Sequence, residues 1–210
     1  MPSLPARLLA RARLDVDERR ARLLALGLEL FGRRGFESIS IDDIAQRAGI
    51  SRGLLYHYFR NKRGFYVETI RFAAAQLRER LAPDPALPPR ERLERGLAAY
   101  LDYVSDYADA YSTLLRGGGA GDDDEVRTIV EATRVGIIAD MIEGMGVESD
   151  AALVRVALRG WLGMVEFSAI EWLARREQVS REELVRVLLA ACEAALEVVL
   201  GADAAVFRRE

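Results

Sequence analysis

With 210 residues, half of them apolar and 30% charged, the chain is long enough to bury a substantial core, and its composition is that of a helix-rich globular protein. Cys192 is the only cysteine, which excludes an internal disulfide, and a lone histidine far from it excludes a His/Cys metal cage. The net charge of −3 hides an asymmetry. Residues 1–70 carry 13 Lys+Arg against 8 Asp+Glu, and the remainder carries 17 against 25, so a polyanion contact is expected from the first part only.

Residues 1–17 read as a flexible basic tail, in which Arg7, Arg11 and Arg13 either reach a minor groove or remain solvated. The arginines and the lack of a long apolar stretch make this a poor signal peptide, so a cytoplasmic location is expected. A first helix is expected over Glu18–Arg34, burying Leu23, Leu24, Leu28 and Phe31 and ending at Gly35. Gly27 in its interior costs about 1 kcal/mol relative to alanine.

The stretch Ser38–Lys62, SISIDDIAQRAGISRGLLYHYFRNK, carries the most information. Ser40 with Asp43 three residues on is a capping-box pattern, and Ile41, Ile44, Ala45 and Ala48 give one buried face. Gly49 is a helix stop, because glycine enters the left-handed conformation without a Cβ penalty. Ser51 caps the next helix. Two short helices joined by a tight turn, the second bearing basic, aromatic and hydroxyl groups, form a helix-turn-helix. Arg52 suits direct readout, since a guanidinium can bond guanine O6 and N7 together. Gly53 lets the backbone approach the groove, and Tyr56 and His57, one turn on, suit phosphate or thymine-methyl contacts. Ser40 and Ser51 can add phosphate donors. Lys62 opens the fourth helix, where its charge joins free backbone amides at a ready anion site. Tyr58, Phe59, Leu54 and Leu55 read as core.

The pieces LELFGRRGF (Leu28–Phe36), SIDDIAQRAGIS (Ser40–Ser51), GLLYHYF (Gly53–Phe59) and NK (Asn61–Lys62) resemble, in order and spacing, the DNA-binding domain of the tetracycline-repressor (TetR) family of bacterial transcription regulators. The resemblance supports DNA-contact roles for Arg52, Gly53, Tyr56 and His57, and it implies a phosphate contact for Lys62. Arg63 and Gly64 depart from the family pattern, which usually includes an acidic residue there. The resemblance also implies a second helical domain that dimerises and binds a small ligand.

A fourth helix follows Asn61 to about Leu81, and the prolines of Ala82–Pro89 exclude any helix across that loop. Further helices are expected over Arg90–Tyr107, Ala108–Leu115, Asp123–Met145, Asp150–Arg176 and Arg181–Leu200, with a glycine-rich break at Gly117–Gly121. The acidic run that begins at Asp122 suits the positive end of a helix dipole and lacks the spacing of a calcium loop. The expected architecture is all-α, with about nine helices. A three-helix helix-turn-helix DNA-binding domain occupies residues 18–66, and a helical ligand-binding and dimerisation domain occupies residues 67–210.

Tyr100, Tyr103, Tyr107 and Tyr111 recur at 3/4/4 spacing beside the apolar stripe of the fifth helix. They line either a pocket or the core. Arg134, Met141, Met145, Trp161, Met164, Glu166 and Phe167 are further pocket candidates, and this aromatic and methionine content suits a small, mostly apolar effector. The eighth helix is apolar nearly all round and must be covered on two sides. Val154, Leu158, Leu162 and Val165, with Leu184, Val187, Leu188, Ala191 and Ala195 of the ninth, are the residues expected at a two-fold four-helix interface. Charges at Arg155, Arg159, Glu166 and Glu171 argue against a membrane span, and no membrane partner is expected.

The function expected is a homodimeric, ligand-responsive DNA-binding regulator. It would repress from a near-palindromic double-stranded operator until a small effector shifts the fourth helix. The alternatives are a helical adaptor with a degenerate reader and an enzyme with a carboxylate-only site. No phosphate loop or nucleophile elbow appears, so no catalytic residue, metal or cofactor is assigned.

Overall fold

A computed structural model describes residues 4–82, 84–115, 123–146 and 152–201; among these are nine helices and no strand. They are α1 (Leu4–Arg34), α2 (Ile41–Ala48), α3 (Arg52–Tyr58), α4 (Lys62–Arg80), α5 (Pro89–Asp106), α6 (Ala108–Leu115), α7 (Asp124–Met145), α8 (Ala152–Arg175) and α9 (Arg181–Leu200). The prolines after α4 and the glycine at position 49 stop helices where the sequence predicts. The first helix is the correction: it begins at Leu4 rather than Glu18, because nothing in residues 4–17 breaks a helix after Pro5, which a first turn tolerates. The side chains of Arg7, Arg11 and Arg13, the glycine-rich break and Asp122 lie outside the described residues.

The chain divides into two compact units: residues 1–73 with 109–127, and residues 74–108 with 128–210. The start of α7 and most of α6 therefore group with the helix-turn-helix, so the units do not follow the contiguous 18–66 and 67–210 segments expected from sequence.

In the first unit, Leu23, Leu24, Leu28 and Phe31 of α1 are buried as their spacing predicts, together with Ile44 and Ala45 of α2, Leu55 of α3, Phe59, and Phe65 and Tyr66 of α4. Their rings interlock: Phe31 stands edge-on to Tyr66 at 4.9 Å, and Phe59 to Phe65 at 4.7 Å. Tyr58 and Leu54 are half-buried. Gly27 is more than a weak helix former. A Cβ there would lie 2.5 Å from Thr69 Oγ1 and 2.9 Å from the tip of Phe65, so its absence lets α1 and α4 close together. Thr69 is fully buried and donates its hydroxyl to the Phe65 carbonyl at 2.8 Å, leaving no unsatisfied polar atom.

In the second unit, α9 packs against α8 and α5. Val154, Leu158, Leu162 and Val165 of α8 are buried against this layer with Leu97, Leu101 and Val104 of α5 and Val185, Leu188, Leu189 and Leu196 of α9. The Trp161 indole donates to the Leu188 carbonyl at 2.8 Å, and Arg181 forks onto Asp102 at 2.7 and 3.1 Å. Cys192 is fully buried, and burial pushes its thiol up to about 12, so it stays protonated.

Candidate DNA interface and ligand cavity

The turn that sets α3 is built from local bonds. Ser40 Oγ accepts the Asp43 N–H at 3.1 Å while Asp43 Oδ2 accepts the Ser40 N–H at 2.8 Å, closing the capping box. Gly49 takes φ 64°, in the left-handed region, and its N–H returns to the Ala45 and Gln46 carbonyls. Ser51 then caps α3 by accepting the Leu54 N–H at 3.1 Å. With Leu55 buried as the anchor, Arg52, Gly53, Tyr56 and His57 are all exposed, at spacings that place them on one face.

On that face Arg52 reaches Asp42 of α2 at 3.3 Å, and its guanidinium lies 5.8 Å from the Tyr56 ring centroid. The hydrogen bond to Tyr56 is the larger cause, and Asp42 the smaller, holding the guanidinium above its ordinary range. Both members of the ion pair are exposed, so it contributes little and releases the guanidinium readily. Nothing presses on Gly53 closer than Ser51 Oγ at 4.0 Å, so its lack of a side chain serves whatever approaches from outside.

The remaining predicted contacts differ in readiness. Ser40 Oγ donates to Asp43 Oδ2 at 2.7 Å, so its proton is committed within the cap. Ser51 Oγ accepts only, leaving its O–H to turn outward. Lys62 is folded back, with Nζ 4.2 Å from the Phe36 ring centroid and 3.4 Å from the Glu37 carbonyl. Sequence reading passed over Arg47 and Arg60. Both are exposed and form no ion pair among the described residues, and each flanks the motif, which is the signal that would have found them.

Arg63, the departure from the family pattern, has a partner of its own. Its guanidinium forks onto Asp123 at 2.6 and 2.8 Å and reaches Glu125 at 3.2 Å. Arg71 bonds Glu125 at 2.7 Å and lies 3.7 Å from Glu68, which accepts from Arg20 at 2.6 Å, so one network ties α4 to the start of α7 and the side of α1. Asp123 also caps α7 by accepting the Glu125 N–H at 2.9 Å. Its hydrogen bond from Arg63 holds its carboxyl below the usual range. A depressed folded-state pKa contributes stability above the ordinary carboxylate range that is lost as pH falls through the depressed value. Asp123→Asn is therefore expected to lower stability near neutrality by less than about 1 kcal/mol, since Arg63 is exposed. The difference from the parent should close in acid, as followed by urea unfolding at several pH values.

The second unit holds a half-open cavity of about 120 Å³ between α5, α7 and α8, floored by Leu93, Leu97, Tyr100, Ile137, Met141, Met145, Trp161, Leu162 and Val165. Of the predicted ligand residues, it gathers Tyr100, Met141, Met145 and Trp161. The others go elsewhere for identifiable reasons. Tyr103 is buried against Tyr107 at 4.8 Å, with Arg80 stacked over both rings. Tyr111 sits on α6, past the break at Tyr107 that ends the periodicity of α5, and belongs to the other unit. Arg134 and Glu166 are spent on each other through two hydrogen bonds of 2.7 and 2.8 Å. Met164 and Phe167 face outward.

Charged groups at the cavity went unforeseen. Asp140 accepts from Arg78 at 2.6 Å, across the space left by Gly136, and Arg92 donates to the Gly144 carbonyl near the end of α7. Gly96 adds room, with nothing within 4 Å of where its Cβ would stand.

The interface residues also need correcting. Val154, Leu158, Leu162, Val165 and Leu188 are almost fully buried within the one chain and have no surface left for a partner. Leu184, Ala191 and Ala195 are half-buried, and Val187 is exposed. The outward face of α8 carries Leu153, Val156, Gly160, Met164 and Phe167, at 3/4/4/3 spacing, and the exposed face of α9 carries Val187, Ala190, Ala194 and Val198. Among the described residues no three His, Cys, Asp or Glu side chains are grouped to hold a metal, and no helix is long and apolar enough to cross a membrane.

Two family models match the chain: the tetracyclin repressor-like C-terminal domain over residues 89–195, and bacterial regulatory proteins of the tetR family over residues 23–69. A tetR-family transcriptional regulator from Streptomyces coelicolor superposes with a TM-score of 0.80 at 32% identity, over 92% of this chain and 88% of that one. The HTH-type transcriptional activator FasR of Mycolicibacterium smegmatis is 26% identical over 82% of this chain and 80% of its own. At 17% identity, FadR of Bacillus subtilis, solved in complex with stearoyl-CoA, shares the fold with a TM-score of 0.64 over 81% of this chain and 95% of that one.

Proposed function

The chain belongs to the tetracycline-repressor family of DNA-binding transcription regulators, and from that premise we propose that it acts in the cytoplasm as a homodimeric repressor, released from a near-palindromic operator by a small effector held between α5, α7 and α8. The observation that carries the DNA reading is the α3 face, where Arg52, Gly53, Tyr56 and His57 stand exposed on a helix anchored by Leu55 and capped by Ser51. Arg52 would read base edges, Tyr56 and His57 would flank it, and Ser51 and Lys62 would bond phosphates. Lys62 must leave the Phe36 ring to do so. Arg47 and Arg60 join as candidate phosphate contacts.

The dimer reading rests on the exposed apolar residues along one face of α8 and one face of α9, of the kind that mark an interaction surface. A two-fold partner would set the two α3 helices about 34 Å apart, the spacing of successive major-groove faces. Release follows if the effector binds more tightly to the form whose reading heads do not fit the operator; α4 carries residues of both units and is the element through which the shift would pass.

A DNA-shift titration on the region upstream of the protein's own gene tests the assignment. Lys62→Ala is expected to weaken all sequences alike and to reduce the salt slope by about 1. Arg52→Ala is expected to cost about 1–3 kcal/mol on the preferred sequence and to relax preference at one base pair. Unchanged preference in Arg52→Ala would remove base readout from that residue.

A further inference from the structure

Arg92 lies at the wall of the cavity, half-buried, near the start of α5. Among the described residues its guanidinium donates to the Gly144 carbonyl, near the C-terminal end of α7, and forms no ion pair. Asp140, the other charged group of the lining, is already engaged by Arg78 at 2.6 Å. The rest of the lining is apolar or glycine, apart from the phenol of Tyr100. A guanidinium carries five donors, so a half-buried one whose partner is a single carbonyl keeps unused donors at the edge of an apolar space.

We propose that the cavity takes an anionic amphiphile, an apolar chain or ring ending in a carboxylate, and that Arg92 is the residue that selects the charge. Resting on the cavity as the effector site, this names what enters it. The apolar body lies against Leu97, Met141, Met145 and Trp161. The carboxylate accepts the donors that Arg92 does not spend on Gly144, in the forked geometry suited to that pair. Arg78 and Asp140 neutralise each other, which leaves Arg92 to set the sign of the site.

Trp161 lines the cavity and gives the readout. With Trp172→Phe as background it is the sole indole, and its fluorescence is titrated with decanoate, decanol and decylamine, with folding checked by circular dichroism. Decanoate is expected to bind about ten- to a hundredfold more tightly than decanol, the worth of a charge-assisted contact, and decylamine more weakly than either. Arg92→Gln should abolish the decanoate advantage while decanol affinity stays unchanged, and Arg92→Lys should keep part of it. Equal binding of decanol and decanoate by the parent, or tighter binding of decylamine, overturns the charge assignment but leaves the cavity as the site. Equal loss of both ligands in a folded Arg92→Gln protein makes Arg92 a structural strap to α7 and overturns the proposal. Binding of none of the three overturns the cavity reading itself. If Arg92→Gln does not fold, the parent comparison and Arg92→Lys decide.

Discussion

Phe167→Glu is expected to turn the proposed dimer into a folded monomer and to remove most operator binding. Phe167 is 73% exposed in the single chain, and Val156 and Leu153 on the same face of α8 are 67% and 61% exposed, so the substitution disturbs no internal packing. In a two-fold assembly each ring is buried once per protomer, and full burial of a phenylalanine contributes about 1.5–3 kcal/mol. The glutamate adds the cost of desolvating two charges brought near the axis. A combined loss of roughly 4 kcal/mol raises the dimer dissociation constant about a thousandfold. Operator affinity then falls by about 10²–10⁴, because the second half-site no longer gains from being tethered to the first. Sedimentation equilibrium gives the assembly state, circular dichroism the fold, and a shift titration the affinity. A Phe167→Glu protein that remains dimeric would place the interface on another face.

The reason α8 defeated sequence reading is physical. Helical periodicity identifies a buried face only when the other face is polar, and α8 is apolar on both. Two assignments were available, and they were taken in reverse: Val154, Leu158, Leu162 and Val165 turn inward, while Phe167 and Met164 turn out. By contrast, the cap at Ser40, the stop at Gly49 and the cap at Ser51 depend on bonds within four residues, so their outcome is fixed by adjacent sequence, and the face of α3 follows from them. The cavity was half legible. Tyr100, Met141, Met145 and Trp161 reach it, but Arg92 stands in the run PRERLERG and resembles any solvated helix charge until α7 is seen beside it. Tyr103 and Tyr107 were legible as a stripe but not as a stack under Arg80, which arrives from a different helix.

Glycines test the same limit in terms of stability. By propensity alone, replacing a glycine inside a helix with alanine stabilises by about 1 kcal/mol. Gly32→Ala is expected to do the opposite. A Cβ at Gly32 would stand 2.5 Å from the Ala110 nitrogen and 2.8 Å from its Cα, so α1 and α6 meet backbone to backbone there. Thr113 fastens the contact by donating to the Gly32 carbonyl at 3.1 Å. Backbone cannot rotate out of the way as a side-chain tip can, so the two helices must separate, at an overpacking cost of about 1–3 kcal/mol net of the propensity gain. Gly27→Ala meets only the Thr69 hydroxyl and the Phe65 ring and should cost less, though Phe65 sits among packed rings. Gly96→Ala meets nothing within 4 Å and should be neutral or stabilising. At about 2–4 °C per kcal/mol for a chain of this size, thermal unfolding separates the three. The expected order of melting temperatures is Gly96→Ala above Gly27→Ala above Gly32→Ala. If Gly32→Ala melts above the parent, α1 and α6 do not meet backbone to backbone, and the grouping of α6 with the reading unit loses its tightest contact.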